Sequence, residues 1–134
     1  MIDMRIYLAA RYSRYQELQG YATELERAGH EVTSRWIQGN HQISDKELSE
    51  EAAEARRIQF AQEDLADLFK AELCISFTEV PRGSNSRGGR HVEFGIALGV
   101  GKPTYIVGHR ENVFHCLPQV QFFPTWEQAL GTLR

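Results

Sequence analysis

Cysteine is scarce in this chain, and its spacing carries no pattern. The two cysteines, Cys74 and Cys116, make neither a disulfide framework nor a zinc-ligand spacing. Cys74 lies inside an apolar run, where a buried free thiol is expected. The five histidines, His30, His41, His91, His109 and His115, form no HxxxH or HxH pair, so no metal is expected. No apolar run approaches the roughly 20 residues that cross a bilayer, and no signal-peptide pattern opens the sequence. Positive charge is not in excess either. The formal net charge is −3, which argues against a duplex nucleic acid as partner. A GxSxG elbow, a P-loop ending and GxGxxG spacing are all missing. Eleven glycines and four prolines are ordinary for 134 residues, so neither collagen nor a disordered tail is indicated. A protein of a reducing cytoplasm, without a membrane segment, is the expectation.

What is present is the material of one domain over residues 1–134, with 42% hydrophobic and 25% charged residues. Residues 4–10 read as a short buried strand, followed by a polar turn at 11–14. Leu18, Tyr21, Ala22, Leu25 and Ala28 recur at helical spacing, and Gly29 closes that helix. Residues 30–37, with Val32, Trp36 and Ile37, read as a second strand, and residues 39–41 as a loop. Ser44 with Glu47 forms a capping box that predicts a helix start. From there to Lys70 the composition is helical, as one helix or two. Its half from 48 to 57 is polar, suited to solvent or a partner. Ile58, Ala61, Leu65, Leu68 and Phe69 make the better core face of the rest. Residues 73–78 read as a buried strand. Val92, Ile96 and Val100 mark a helix that Gly101 and Lys102 stop. Residues 103–107 and 121–123 read as a fourth and a fifth strand, and Thr125 with Gln128 caps a last helix.

Strands alternating with helices predict an α/β domain of the flavodoxin or Rossmann kind. Its mostly parallel sheet of about five strands is covered by helices on both faces. Ligands bind such sheets beyond the carboxyl ends of the strands. That rule points to residues 9–14, to the loop 79–90 and to the turn after Val107.

The loop 81–90, Pro-Arg-Gly-Ser-Asn-Ser-Arg-Gly-Gly-Arg, runs into a helix start. Free N–H groups there favour an anion, and Arg82, Arg87 and Arg90 add charge and forked donors. A merely solvated surface loop is the competing reading. Glu93 follows in what reads as the first turn of that helix, where the helix dipole favours an ionised carboxylate. It suits a nucleophile, or it is only a helix-start charge. Asp64 and Asp67 lie one turn apart on the helix before the third strand. Paired carboxylates near a sugar can divide attack and proton transfer between them. For Asp67 an exposed helix charge is the expectation. Tyr7 sits in the first strand, where its hydroxyl either orients a carboxylate or only tips a core ring. His91 either touches a ligand phosphate or is structural.

Three patches together resemble the nucleoside 2-deoxyribosyltransferase superfamily, including its 2'-deoxynucleoside 5'-phosphate N-hydrolase and CMP N-glycosidase branches. They are Arg5-Ile-Tyr-Leu-Ala-Ala10, then Glu63-Asp-Leu65 ahead of an apolar strand, and most specifically Gly89-Arg-His-Val-Glu-Phe-Gly-Ile-Ala-Leu-Gly-Val-Gly-Lys-Pro103. The last looks like the family's G-x-x-x-E-x-G-x-A segment, and its His-Val-Glu is closest to the CMP N-glycosidase branch. The resemblance implies a reaction at the anomeric carbon of a nucleoside or nucleotide, without a cofactor. Glu93 matches the family's nucleophile, Asp64 its second carboxylate and Tyr7 the tyrosine that holds the nucleophile. Two departures from the family's pattern point to a substrate 5'-phosphate. The glycine-arginine loop is long and basic, and Arg11, Ser13 and Arg14 replace the turn of nucleoside-preferring transferases. Such a phosphate would meet Arg11, Ser13, Arg14, Ser86, Arg87, Gly89, Arg90 and His91 through side chains and backbone N–H groups. Homodimers or higher homo-oligomers are implied, with the polar helix half and the aromatic C-terminal stretch as their interface. A non-catalytic nucleotide-binding or sensor protein on the same fold is the alternative. A module for single-stranded nucleic acid is a third reading, opposed by the acidic net charge.

Overall fold

The computed structural model describes residues 3–41, 49–81, 83 and 88–134. Its strands are β1 (Arg5–Ala9), β2 (Glu31–Val32), β3 (Leu73–Phe77), β4 (Thr104–Val107) and β5 (Val120–Phe123). They form one sheet in the order β2-β1-β3-β4-β5, and each neighbouring pair is parallel. In this doubly wound order the winding reverses between β1 and β3, the position where such sheets open a ligand crevice. β3 is buried at all five residues and β1 at every residue after Arg5. Continuous burial of this kind requires cover on both faces of the sheet.

The cover is four helices: α1 (Tyr15–Arg27), α2 (Glu50–Lys70), α3 (Gly89–Gly99) and α4 (Trp126–Gly131). Trp126 of α4 stacks on Tyr21 of α1 with ring centroids 4.7 Å apart, so these two helices share a face. α2 and α3 pack together on the other, as right-handed crossovers demand. Thr125 caps α4 as predicted, its hydroxyl accepting from the Gln128 N–H at 3.3 Å. Cys74 is buried as expected, and burial pushes its thiol up to about 12, which leaves it inert.

Two local readings are corrected. The second strand does not run from 30 to 37. Only Glu31–Val32 pairs with β1, and the chain then turns into a 3-10 helix, Arg35–Gln38. Trp36 and Ile37 are adjacent, and both are buried. The helical turn packs both of these neighbours into the core. The Trp36 indole N–H donates to the Leu8 carbonyl at 2.8 Å and holds that turn against β1.

The buried face of α2 is also different. The helix is one piece of 21 residues, capped by Ser49, whose hydroxyl accepts from the Ala52 N–H. The predicted start at Ser44 and Glu47 lies outside the described residues. Ala53, Asp67 and Leu68 are buried, whereas Ile58, Leu65 and Phe69 are 52%, 42% and 49% exposed. On α3 the buried residues are Arg90, Phe94 and Ala97, whereas Val92 and Val100 lie outside. Both buried faces include a charged residue held by a distant partner, Asp67 of α2 by Arg35 and Arg90 of α3 by Glu111, and Ile96 of α3 also packs on the core.

Candidate active site

The segments beyond the carboxyl ends of β1, β3 and β4 are tied into one structure by side-chain hydrogen bonds. After β1 the chain makes a 3-10 helix, Tyr12–Arg14. Arg14 reaches across to the end of β3, donating to the Thr78 carbonyl at 3.1 Å and the Glu79 carboxylate at 2.9 Å. Its other N–H groups meet Glu17 at 2.6 and 2.9 Å. Arg11 lies 3.7 Å from Glu79. The Glu79 N–H donates to Glu111, in the turn after β4, at 3.1 Å. Glu111 also accepts from the buried Arg90 guanidinium of α3 at 2.7 Å. Burial works to raise the Glu111 carboxyl, but the Arg90 hydrogen bond and the Glu79 N–H outweigh it and hold Glu111 below its ordinary value. His115 Nδ1 accepts from the Glu111 N–H at 3.0 Å and completes the brace.

Two glycines make this closure possible. Gly88, at φ +82, turns the loop into α3. Gly108 has φ +117, and a Cβ there would lie 3.0 Å from Thr78 Oγ1. That hydroxyl instead accepts from the His109 N–H at 2.6 Å, which fastens the β3 end to the β4 end.

Beneath the brace Glu93 meets Tyr7. Glu93 is the fifth residue of α3, and the first turn of that helix holds no acidic residue. Its expected place in the first turn is therefore corrected to the second, where the helix dipole has faded. The residue is half-buried, and its carboxylate accepts the Tyr7 hydroxyl hydrogen bond. Tyr7 is fully buried in β1, and its alternation with Ile6 and Leu8 aims its ring at the α3 face. Burial pushes the Glu93 carboxyl up to about 8, so the free protein holds it largely protonated near neutrality. The expected anion is thus also corrected: loss of solvent outweighs both the dipole and the Tyr7 hydroxyl.

Asp64 and Asp67 face inward from α2. Burial is the main cause that pushes Asp64 up to about 7; the nearby Asp67 and Glu63 charges add to it and Arg35 opposes it. Asp67 is not the exposed charge that was expected. It is 5% exposed, and its carboxylate accepts from the Arg35 backbone N–H and Nε at 3.0 Å. It caps the 3-10 helix that replaced the predicted strand, which is why it is drawn inward.

The remaining candidate residues are scattered in role. Ser13 is exposed, His91 is half-buried 3.8 Å from Glu111, and Gly89 opens α3 with open space where a Cβ would stand. Ser86 and Arg87 lie outside the described residues. Arg14 and Arg90 are each met by carboxylates, and Arg11 has the longest of these ion pairs. Glu79, Glu111, His115 and His41 were not singled out from the sequence. For Glu79 and Glu111 a signal existed, because both lie in segments that follow parallel strands. His41 offered none. Among the described residues no group of three or more His, Cys, Asp or Glu is placed to hold a metal ion.

A doubly wound parallel sheet with the Glu93–Tyr7 contact beside its switch point defines an α/β domain of the class that takes ligands beyond the carboxyl edge of its sheet. Its fold is shared with nucleoside-processing enzymes of known structure. A 2-deoxyribosyltransferase from the psychrotolerant bacterium Bacillus psychrosaccharolyticus superposes with a TM-score of 0.70 at 20% identity, covering 96% of this chain and 95% of that one. The CMP N-glycosidase BcmB of Clostridium botulinum gives 0.60 at 22% identity, over 96% and 97% of the two chains. A conserved protein from Enterococcus faecalis V583 gives 0.51 at 17% identity, over 96% and 85%. No protein-family model matches the sequence, and no curated protein sequence does.

Proposed function

We propose that this protein is an N-glycosidic-bond enzyme of the nucleoside 2-deoxyribosyltransferase superfamily. Its substrate is a nucleoside 5'-monophosphate or a (deoxy)nucleoside. The observation that carries this reading is the Glu93 carboxylate held by the Tyr7 hydroxyl, beside the switch point of the sheet. In this reading Glu93 attacks the anomeric carbon and forms a glycosyl ester. The electron pair of the C1'–N bond leaves with the base, which takes a proton from Asp64. Water, or a second base, then attacks the same carbon and frees Glu93. The Tyr7 hydroxyl fixes the Glu93 rotamer and supports its charge. The substrate's 5'-phosphate is assigned to Arg11, Ser13 and the loop holding Ser86 and Arg87, with the backbone N–H groups at the start of α3. A homodimer is part of the proposal.

The test is incubation with a panel of nucleoside monophosphates and nucleosides, with and without an added base, followed by separation of products. Release of free base, faster from the monophosphate, is the expected result. Binding without release from any of them would replace this reading with that of a nucleotide sensor. The pH dependence is set by two opposed needs. Glu93 must be ionised and Asp64 protonated, while their values lie at about 8 and about 7. The rate therefore follows a bell with its maximum between these values, where only a minority of molecules holds the productive pair of states.

Tyr7→Phe removes the hydroxyl from the nucleophile. We expect base release to slow by roughly 10- to 100-fold, as when one hydrogen-bond donor to a reacting anion is lost. The falling limb of the pH profile should also move to higher pH and the maximum should drop, because in this reversed pair the falling limb follows Glu93, whose ionised form loses its support. An unchanged profile would return Tyr7 to a purely packing role.

A further inference from the structure

His41 follows the 3-10 helix Arg35–Gln38 and stacks on Phe60 of α2 with ring centroids 4.4 Å apart. Only 5% of its side chain is exposed. Its Nδ1 lies 2.7 Å from Asn40 Oδ1, and its Nε2 lies 3.1 Å from Glu63 Oε2 and 3.3 Å from Asp64 Oδ1. An amide oxygen only accepts, so Nδ1 carries a hydrogen. A neutral ring then turns a lone pair at Nε2 toward two carboxyl groups. That contact is attractive only when one carboxyl holds a proton. A charged ring turns an N–H toward them instead. His41 Nε2 and Asp64 Oδ1 are both buried without a hydrogen-bond partner in the structure, and a proton held between them would satisfy both.

We propose that His41 and Asp64 share this proton, and that the pair is the reservoir from which Asp64 protonates the departing base. The inference rests on the glycosidase reading given above. As the C1'–N bond breaks, its electron pair goes to the base nitrogen and the shared proton follows it. The pair is left as a carboxylate and a neutral imidazole. When water attacks the glycosyl-Glu93 ester, its oxygen joins C1', one of its protons returns to the pair, and Glu93 departs as a carboxylate. The sum is nucleotide plus water giving base plus sugar phosphate. A residue acting through Asp64 in this way is a positioning residue.

The surroundings suit a shared proton. Glu63 and Asp64 face the ring from α2, and the charges of Asp67 on α2 and Arg35 on the 3-10 helix also act on it. Burial lowers His41 from its ordinary value, against the pull of Glu63 and Asp67, while burial raises Asp64. Burial thus reverses the ordinary order of the two groups: the Asp64 carboxyl holds its proton more firmly, and the His41 ring less firmly, than either does in water.

Two measurements test this. NMR titration of the His41 ring in the free protein needs no substrate. The wild-type ring should show two inflections, one near neutrality. In Asp64→Asn it should show one, lower by about one pH unit or more. A single inflection that Asp64→Asn does not move overturns the proposal. The second measurement compares His41→Gln with wild type on a nucleoside monophosphate and on 4-nitrophenyl ribofuranosyl 5-phosphate or its 2-deoxy counterpart, whose leaving group departs without a proton. The variant should lose at least about 10-fold on the nucleotide and less than about 3-fold on the nitrophenyl compound. Equal losses on both mean a structural role and overturn the proposal, with His41→Asn repeating the comparison where the Gln variant does not fold. A wild type inactive on both substrates overturns the glycosidase reading and with it the catalytic use of the pair, whereas the titration still decides the shared proton.

Discussion

Glu93→Gln should release base at least about 10³-fold more slowly than wild type, since it replaces the attacking oxygen anion with an amide. The same substitution should stabilise the fold at alkaline pH. The Glu93 carboxyl has an ordinary value of 4.5 and a folded value of about 8. Below the first value both folded and unfolded chains hold the proton, and nothing is lost. Between the two values the unfolded chain releases a proton that the folded chain keeps, so wild-type stability falls as pH rises, until about pH 8. Glutamine has no such proton. Urea unfolding of both proteins, at pH near 5 and near 8, should show the variant gaining on the wild type at the higher pH. Acid-quenched wild type should carry the mass of the sugar phosphate, and the variant should not. A variant that keeps the wild-type rate removes Glu93 from the chemistry. A variant with no relative gain in stability at the higher pH contradicts the buried, protonated carboxyl.

Phe77→Ala should be the most damaging single truncation of the core. Phe77 ends β3, is 1% exposed, and joins a three-ring cluster, stacked on Tyr21 of α1 at 5.1 Å and tilted against Trp126 of α4 at 5.6 Å. Removing a buried phenyl ring loses its transfer free energy and leaves a cavity, together about 3–5 kcal/mol. Whole domains are stable by only about 5–15 kcal/mol. The melting temperature should drop by roughly 10–20 °C for a chain of this size. Calorimetry measures the loss. Trp126 fluorescence reports the site itself, because the indole N–H otherwise donates to Glu24 at 3.2 Å. A loss under about 1 kcal/mol would mean that Tyr21 and Trp126 close over the cavity, against the close packing assumed here.

Glu93 and Phe77 differ in how far the sequence reveals them. Phe77 lies in a run of strand length, Leu73-Cys-Ile-Ser-Phe77, whose one polar residue is the small Ser76, and its burial follows from that pattern. Glu93 was singled out by its place after a glycine loop and a strand, and by the resemblance of residues 89–103. Its protonation is not legible there, because the sequence shows a helix start and does not show burial. The buried face of α2 is hidden for a related reason: its apolar residues extend around more than one side, and periodicity alone does not say which side the sheet accepts. Asp67 belongs to the same lesson: its spacing on the helix looks like that of a solvated charge until Arg35, distant in sequence, donates to it.

Order of elements, parallel pairing, the stops at Gly29 and Gly101, and the cap at Thr125 follow from local chemistry, which acts over a few residues and is written in their order. Which carboxyl keeps its proton, which arginine is already held, and which histidine stands against Asp64 depend on groups tens of residues apart. Those were decided only when the chain folded, because desolvation and ion pairing are properties of the space around a group and not of its neighbours in sequence.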